Sequence, residues 1–273
     1  MSYTTNFGNI GVIDESNYSQ YAQELRDMEG KFGSGHVARD YKLHGLGSYA
    51  NVFSGDIIPR SKWDDLIKRQ DDNESSPWHH HIASNVEVLD QNGYPYCWMF
   101  GTVAGVMNRY AAQGLPVPFL SATAPAAQGK DFRQEGGWAG EAVEYIEKYG
   151  LPTIDTWPQH SLDRSLVKNH EQELDAKRHG IVEFEELPQE SFDAAASCLL
   201  DPYNPSPVTL GLMWWGHLVC GLRLVKVERN TYGILIVNSW SRKWGENGFK
   251  VLVESKATAH EYVAIRNVKA RAA

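Results

Sequence analysis

The feature that most constrains the fold is a change of character at Pro205-Ser206-Pro207. Before it, apolar residues recur at helical spacing. Phe100, Val103, Met107 and Tyr110 share one face of a segment that opens at Cys97. Gly114 and Pro116 mark its C-terminal end. A second segment, Trp138 to Tyr149, turns Ala142, Tyr145, Ile146 and Tyr149 inward and stops at Gly150, before Pro152. Beyond the boundary, Val208–Met213, His217–Val227, Tyr232–Val237 and Gly248–Val253 are β-branched or aromatic runs punctuated by Gly and Asn, and they predict strands. Helices first and strands second predict an α+β fold instead of alternating β/α units.

Ile57-Ile58-Pro59-Arg60 opens this body, which spans 58–273 as a helical lobe (58–205) and a β-rich lobe (206–273). Residues 1–57 read as an N-terminal extension or arm. Within it Tyr18, Tyr21, Ala22 and Leu25 predict a short helix from Ser16 to Met28. Gly33-Ser34-Gly35, Gly45, Gly47 and Gly55 predict irregular chain. The Gly33-x-Gly35 pair lacks the third glycine and the preceding strand of a phosphate-binding turn. Asp71-Asp72-Asn73-Glu74-Ser75-Ser76-Pro77 is expected to be a solvated loop, and His79-His80-His81 a loop feature. Adjacent histidines on an extended segment point to opposite faces, so at most two converge and no metal site is predicted there.

The 273 residues, 42% of them hydrophobic, suffice for one large domain or two lobes sharing a cleft. A net charge of −8 without a basic stripe argues against a nucleic-acid partner. No apolar run approaches the length of a membrane span. The first residues, Met1 to Gly8, carry neither the basic region nor the apolar core of an export signal. Three cysteines, Cys97, Cys198 and Cys220, make a poor disulfide framework and form no Cys-x-x-Cys. The expectation is a reducing setting, cytoplasmic or particle-associated.

The chemistry-bearing residues fall at the edges of the predicted elements. A thiol in the first turn of a helix sits at the positive end of the macrodipole, which favours the thiolate a nucleophile needs; Cys97 has that place. His217 follows Trp214-Trp215-Gly216 at the head of a strand, and Asn238 closes the next one. An Asn side-chain oxygen can accept from one imidazole nitrogen and leave the other facing the thiol. Trp240 is placed to shield that bond from water. Gln91, six residues before Cys97, can swing its amide beside the thiol and, with the Cys97 N–H, donate to a developing oxyanion.

These residues, in this order, resemble the papain family (C1-type) of cysteine peptidases. The resemblance runs from Ile58-Pro59 and Trp63, through Gln91, Cys97-Trp98-Met99-Phe100, Gly136-Gly137-Trp138 and His217, to Asn238-Ser239-Trp240 and Trp244-Gly245-Glu246-Asn247-Gly248-Phe249. It implies a two-lobe fold whose central helix starts at the catalytic cysteine. It implies Cys97 as nucleophile, His217 as base and acid, Asn238 as orienter and Gln91 in the oxyanion hole. Gly136 and Gly137 would pair with extended substrate, together with Trp244, while Trp98 and Trp240 support the site. The reaction would be hydrolysis of a peptide or protein through an acyl-enzyme, with no metal or organic cofactor.

The departures from the family pattern are specific. Tyr94-Pro95-Tyr96 stands before Cys97 where small residues and a disulfide cysteine are usual, and Glu135 precedes the Gly pair where its partner is usual. Two aromatic rings and a proline are therefore expected at the mouth of the site. Residues 1–57 do not match the long helical inhibitory segment of papain-like precursors. A second reading follows: the scaffold serves as a structural or binding component of a larger assembly, such as a virus or phage particle, docked through residues 1–57, with latent or no peptidase activity. A third transfers the acyl group to an amine instead of water.

Overall fold

The computed structural model describes residues 10–29, 35–168, 170–179 and 181–269. Gly33 and Ser34 of the Gly-x-Gly pair, and the Met1–Gly8 stretch, lie outside them. Along the described chain run β1 (Val12–Ile13), α1 (Tyr18–Glu29), β2 (Asn51–Val52), α2 (Trp63–Asp72), α3 (Pro77–Ala83), α4 (Cys97–Ala112), α5 (Thr123–Gly129), α6 (Ala139–Tyr149) and α7 (His170–Arg178). There follow β3 (Ile181–Leu187), α8 (Phe192–Leu200), β4 (Val208–Leu212), β5 (His217–Glu228), β6 (Thr231–Val237), β7 (Phe249–Val253), α9 (Glu254–Ala257) and β8 (Glu261–Lys269).

The strands form one sheet in the order β1-β7-β6-β5-β4-β8-β3-β2. Its inner pairs are antiparallel, while the outermost strands β1 and β2, both from the N-terminal extension, lie parallel on β7 and β3. Side chains alternate across the sheet, so each face builds its own core. Leu218, Cys220, Leu235 and Val237 point to the face packed against α4 and α6. Val219, Ile234 and Ile236 point to the face shared with Tyr21 and Leu25 of α1, Trp63 of α2 and the residues of α8.

Helix α4 is enclosed on nearly every side, from Cys97 through Ala111. A helix apolar all round is one that belongs inside. Two glycines let it lie directly on the sheet, against β5 and β8. A Cβ at Gly101 would come 2.5 Å from Leu218 Cδ2, and one at Gly105 would come 2.7 Å from Ile265 Cδ1 and 3.4 Å from Cys220 Sγ. At its far end Gly114 takes φ +66°, and Leu115 N–H returns 3.0 Å to the Tyr110 carbonyl. This left-handed turn satisfies carbonyls the helix leaves open.

Several sequence expectations are corrected. Asp71 and Asp72 close helix α2 instead of lying in a solvated loop, and Asp71 pairs with the buried guanidinium of Arg223. Ser76 is buried and caps α3, so His79-His80-His81 is helical, not extended. His81 Nδ1 meets Asn108 Oδ1 of α4 at 2.8 Å. Tyr149 of α6 is exposed, and Val143 fills the core in its stead. Strand β3 lies inside the stretch expected to be helical, paired with β8 some eighty residues on.

Candidate active site

Two of the expected residues begin elements that pack on each other, Cys97 at the head of α4 and His217 at the head of β5. Gly101 lies on Leu218 and Gly105 on Cys220, so helix and strand advance in step. Four helical residues rise ~6 Å and two strand residues ~6.6 Å. One turn before Gly101, Cys97 opens α4, and His217 opens the strand on which that helix lies. Both Cys97 and His217 are buried, and Cys97 sits in no disulfide.

His217 is held through one nitrogen. Its Nε2 lies 2.7 Å from Asn238 Oδ1. That oxygen also accepts from Ser239 N–H at 2.8 Å, so it is an acceptor and the imidazole proton is on Nε2. Nδ1 is buried and has no hydrogen bond among the described residues, which leaves it as the basic nitrogen of the ring. Trp240 covers the imidazole at 4.8 Å between centroids. Burial, with His36 adding a smaller repulsion, lowers the His217 pKa to about 4 against the pull of Asn238. The ring is neutral in this closed arrangement.

Gln91 is tied into the same corner. Asp90 bridges Trp240, and Gln91 N–H donates to the Ser239 carbonyl at 2.8 Å. Its Oε1 accepts from Ser239 Oγ at 2.7 Å and its Nε2 donates to the Tyr94 carbonyl at 2.8 Å. That pair of bonds fixes the amide and leaves its second N–H for another acceptor. Of the two rings expected at the mouth, Tyr96 is instead buried, its hydroxyl donating to the Arg133 carbonyl at 3.1 Å. Tyr94 stacks on it and is half-buried.

Trp98 lies beneath the glycine pair. A Cβ on Gly137 would stand 2.8 Å from the Trp98 ring and 2.3 Å from Glu141 Oε2. The backbone of Gly137 is already paired, and its partner is the chain's own N-terminal extension. Gly137 N–H donates to the Gly35 carbonyl at 3.1 Å, Val37 N–H donates to the Gly137 carbonyl at 3.0 Å, and His36 N–H donates to the Gly216 carbonyl at 3.0 Å. Residues 35–37 thus run between the two lobes. The His36 ring is buried against Gly211, where a Cβ would stand 2.6 Å from it.

Beyond the cleft the extension is anchored by Arg39, which is buried between two carboxylates. It meets Glu186 of β3 at 3.0 Å and Glu261 of β8 at 3.2 Å. Glu261 also accepts from Ala139 N–H and Gly140 N–H, at the head of α6. Glu186 accepts from Gly47 N–H and Tyr49 N–H. Tyr41 and Tyr49 lie 4.5 and 4.8 Å from the guanidinium carbon.

Trp244, expected at the substrate, is packed among Tyr21, Trp215 and Trp240 and is 9% exposed. Its place is in the aromatic cluster that backs the imidazole. Residues overlooked in the sequence include Trp215, whose ring lies 5.0 Å from that of His217, and the pair His36 and Arg39. The doubled Trp214-Trp215 before His217 was the available signal for the first. Nothing in the glycine-rich stretch marked the other two. His79 to His81 stand apart, and among the described residues no group of three His, Cys, Asp or Glu side chains could hold a metal ion.

No protein-family model matches the chain. The cathepsin B-like CP2 of Giardia intestinalis is 24% identical over 191 residues, which cover 60% of this chain. The chain spans 62% of the length of that curated relative. Xylellain, a cysteine protease from Xylella fastidiosa, superposes with a TM-score of 0.61 at 14% identity over 88% of this chain and 97% of its own. ProCathepsin B S9 from Trypanosoma congolense gives 0.57 at 14% identity, over 94% and 99%. Digestive procathepsin L 3 of the Tenebrio molitor larval midgut gives 0.55 at 15% identity, over 93% and 90%. The chain has the papain-like α+β fold. Among the described residues no helix is long and apolar enough to cross a membrane.

Proposed function

We propose that this chain is a thiol peptidase held closed by its own residues 35–37. Cys97 is the nucleophile, His217 the base and acid, Asn238 the orienter and Gln91 an oxyanion donor. The observation that carries this reading is the His217–Asn238 bond at 2.7 Å, covered by Trp240.

In the open cleft a peptide takes the place of residues 35–37 on Gly136 and Gly137. His217 Nδ1 accepts the Cys97 proton and Sγ attacks the scissile carbonyl. The developing oxyanion receives the remaining Gln91 amide N–H and the first-turn N–H of Cys97. Nδ1–H then protonates the leaving amine, and an acyl-enzyme remains. Water, deprotonated at Nδ1, releases the acid. Asn238 keeps the imidazole in the tautomer these steps need. Trp98 supports Gly137 from below, and Trp244 supports the tryptophans around His217.

Latency rests on the paired backbone of Gly137 and Gly216 and on the neutral, enclosed His217. Two of the similar structures are procathepsins by name, and a closed form is the reading favoured for this chain. The test is intact mass after treatment with a papain-type epoxide inactivator, on wild type, Arg39→Ala and the same variant with Cys97→Ala. The expected result is slow labelling of wild type, fast single labelling of Arg39→Ala and none without Cys97. No labelling of any folded form would sink the peptidase reading and favour a structural component of an assembly.

A further inference from the structure

The N-terminal extension has two parts with different relations to the site. Residues 35–37 cross the cleft on backbone bonds, and 38–53 run on from it to the edge of β3, anchored by the buried Arg39. Residues 10–29 are built into the opposite face of the sheet. Val251 N–H donates to the Gly11 carbonyl at 3.1 Å, and β1 extends the sheet beside β7. Ile13, Tyr21, Ala22 and Leu25 are buried there. Removing this part would expose apolar core and leave β7 as an edge strand, paired only with β6.

Helix α1 also reaches the imidazole through one side chain. The indole Nε1–H of Trp215 donates to the Tyr21 carbonyl at 3.0 Å, in a buried bond. The Trp215 ring lies 5.0 Å from that of His217, tilted by 59°. It meets Trp240 edge-on at 5.6 Å. Trp214 stacks on it at 5.1 Å and Tyr18 of α1 stands edge-on to Trp214. A single hydrogen bond, His217 to Asn238, leaves an imidazole free to swing about that bond. Two rings against it, one fixed from α1, remove that freedom. A buried indole N–H deprived of its acceptor is costly enough to drive a rearrangement.

We propose that Trp215 is a positioning residue for His217 and that α1 is its fixed support, so that residues 10–29 stay in the catalytic unit when residues 35–37 leave the cleft. This rests on His217 being the catalytic base. It parts the extension into a removable belt and a permanent component.

Two measurements test it. In protein labelled with ¹⁵N-histidine, long-range ¹H–¹⁵N spectra read the His217 tautomer directly, with His217→Gln giving the assignment. Wild type is expected to show the Nε2–H form, and Trp215→Phe, which keeps a ring but loses the bond to Tyr21, to fall between it and Trp215→Leu. In Trp215→Leu the two ring-nitrogen shifts are expected to collapse toward their mean. Leu25→Ser, on α1 one turn from Tyr21, is expected to do the same while leaving Trp215 in place. A Trp215→Leu or Leu25→Ser protein that is folded, even if less stable, and keeps the wild-type signature overturns the positioning role. The second measurement is mass spectrometry of epoxide-labelled protein after limited proteolysis. The segment 10–29 is expected to remain bound under native conditions and to separate, if cut, only on denaturation. Labelled protein lacking that segment overturns the proposal. The tautomer is read without turnover, so failure of the peptidase reading shows as absent labelling and leaves the spectra to be judged by themselves.

Discussion

Arg39 and Glu261 meet at 3.2 Å, and neither side chain is more than 1% exposed. One follows directly on residues 35–37 and the other belongs to strand β8, so their contact ties the segment in the cleft to the core of the sheet. Breaking a buried pair from one side leaves an uncompensated charge, at about 3–5 kcal/mol. In Arg39→Ala the stranded carboxylates of Glu186 and Glu261 regain water only if residues 35–53 lift. The expected outcome is faster proteolysis within that segment and faster epoxide labelling of Cys97, both followed by mass. Unchanged rates would mean that the backbone bonds alone keep the cleft closed.

Closure is also expected to depend on pH through His36. Burial, with a smaller push from His260, lowers its pKa from 6.5 to about 4, against the pull of Gly137. A histidine lowered in this way binds fewer protons when closed. Its contribution is whole above 6.5 and is lost as pH falls toward 4, by up to about 3 kcal/mol. Glu261 acts the other way. Burial raises it from 4.5 to about 7, against the Ala139 and Gly140 N–H groups and Arg39, so its contribution fades as pH rises through that interval. The difference between wild type and His36→Phe isolates the first effect. Between pH 6.5 and 4 the wild type is expected to gain labelling rate more steeply than the variant. Parallel profiles would remove His36 from the switch.

Gln91 is expected to matter for turnover beyond its share in packing. Gln91→Ala in an opened protein is expected to lower kcat by about 100- to 1,000-fold, the usual effect of losing one oxyanion donor, with a small change in KM. Steady-state kinetics on a peptide substrate in the Arg39→Ala background would check it. A loss confined to KM would assign Gln91 to binding instead.

Gly101 sets the approach of α4 to β5. A Cβ there would stand 2.5 Å from Leu218 Cδ2 and 3.1 Å from the Leu218 carbonyl oxygen, which is backbone and has little room to yield. Gly101→Ala is expected to destabilise the fold by about 1–3 kcal/mol, as overpacking of a core does. It should also part Cys97 from His217, so that labelling of the opened protein slows more than its melting temperature alone would suggest. Thermal unfolding and labelling rate, measured on one preparation, separate the two effects.

Much of the fold was legible because its signals are local. The apolar face of α4, its glycine end and the runs that became β4 to β7 could each be read in a short window. Helices α2 and α3 were not, because α2 buries only Trp63, Ile67 and Gln70 and α3 is short and rich in histidine. Strand β3 was missed because its partner β8 is distant in sequence, and pairing over such a separation leaves no mark in either segment.

The sequence by itself determined the chemistry on offer: a thiol at a helix start, a histidine, an asparagine, a glutamine and the glycine pair, in an order that implied the papain-like fold. Only the tertiary structure decided what occupies the cleft and which ring, besides Trp240, packs on the imidazole. Residues 35–37 are bound mainly through backbone N–H and carbonyl groups, which every sequence carries. Arg39 has its meaning only where two distant carboxylates converge on it, and Trp215 only where α1 turns a carbonyl toward its indole.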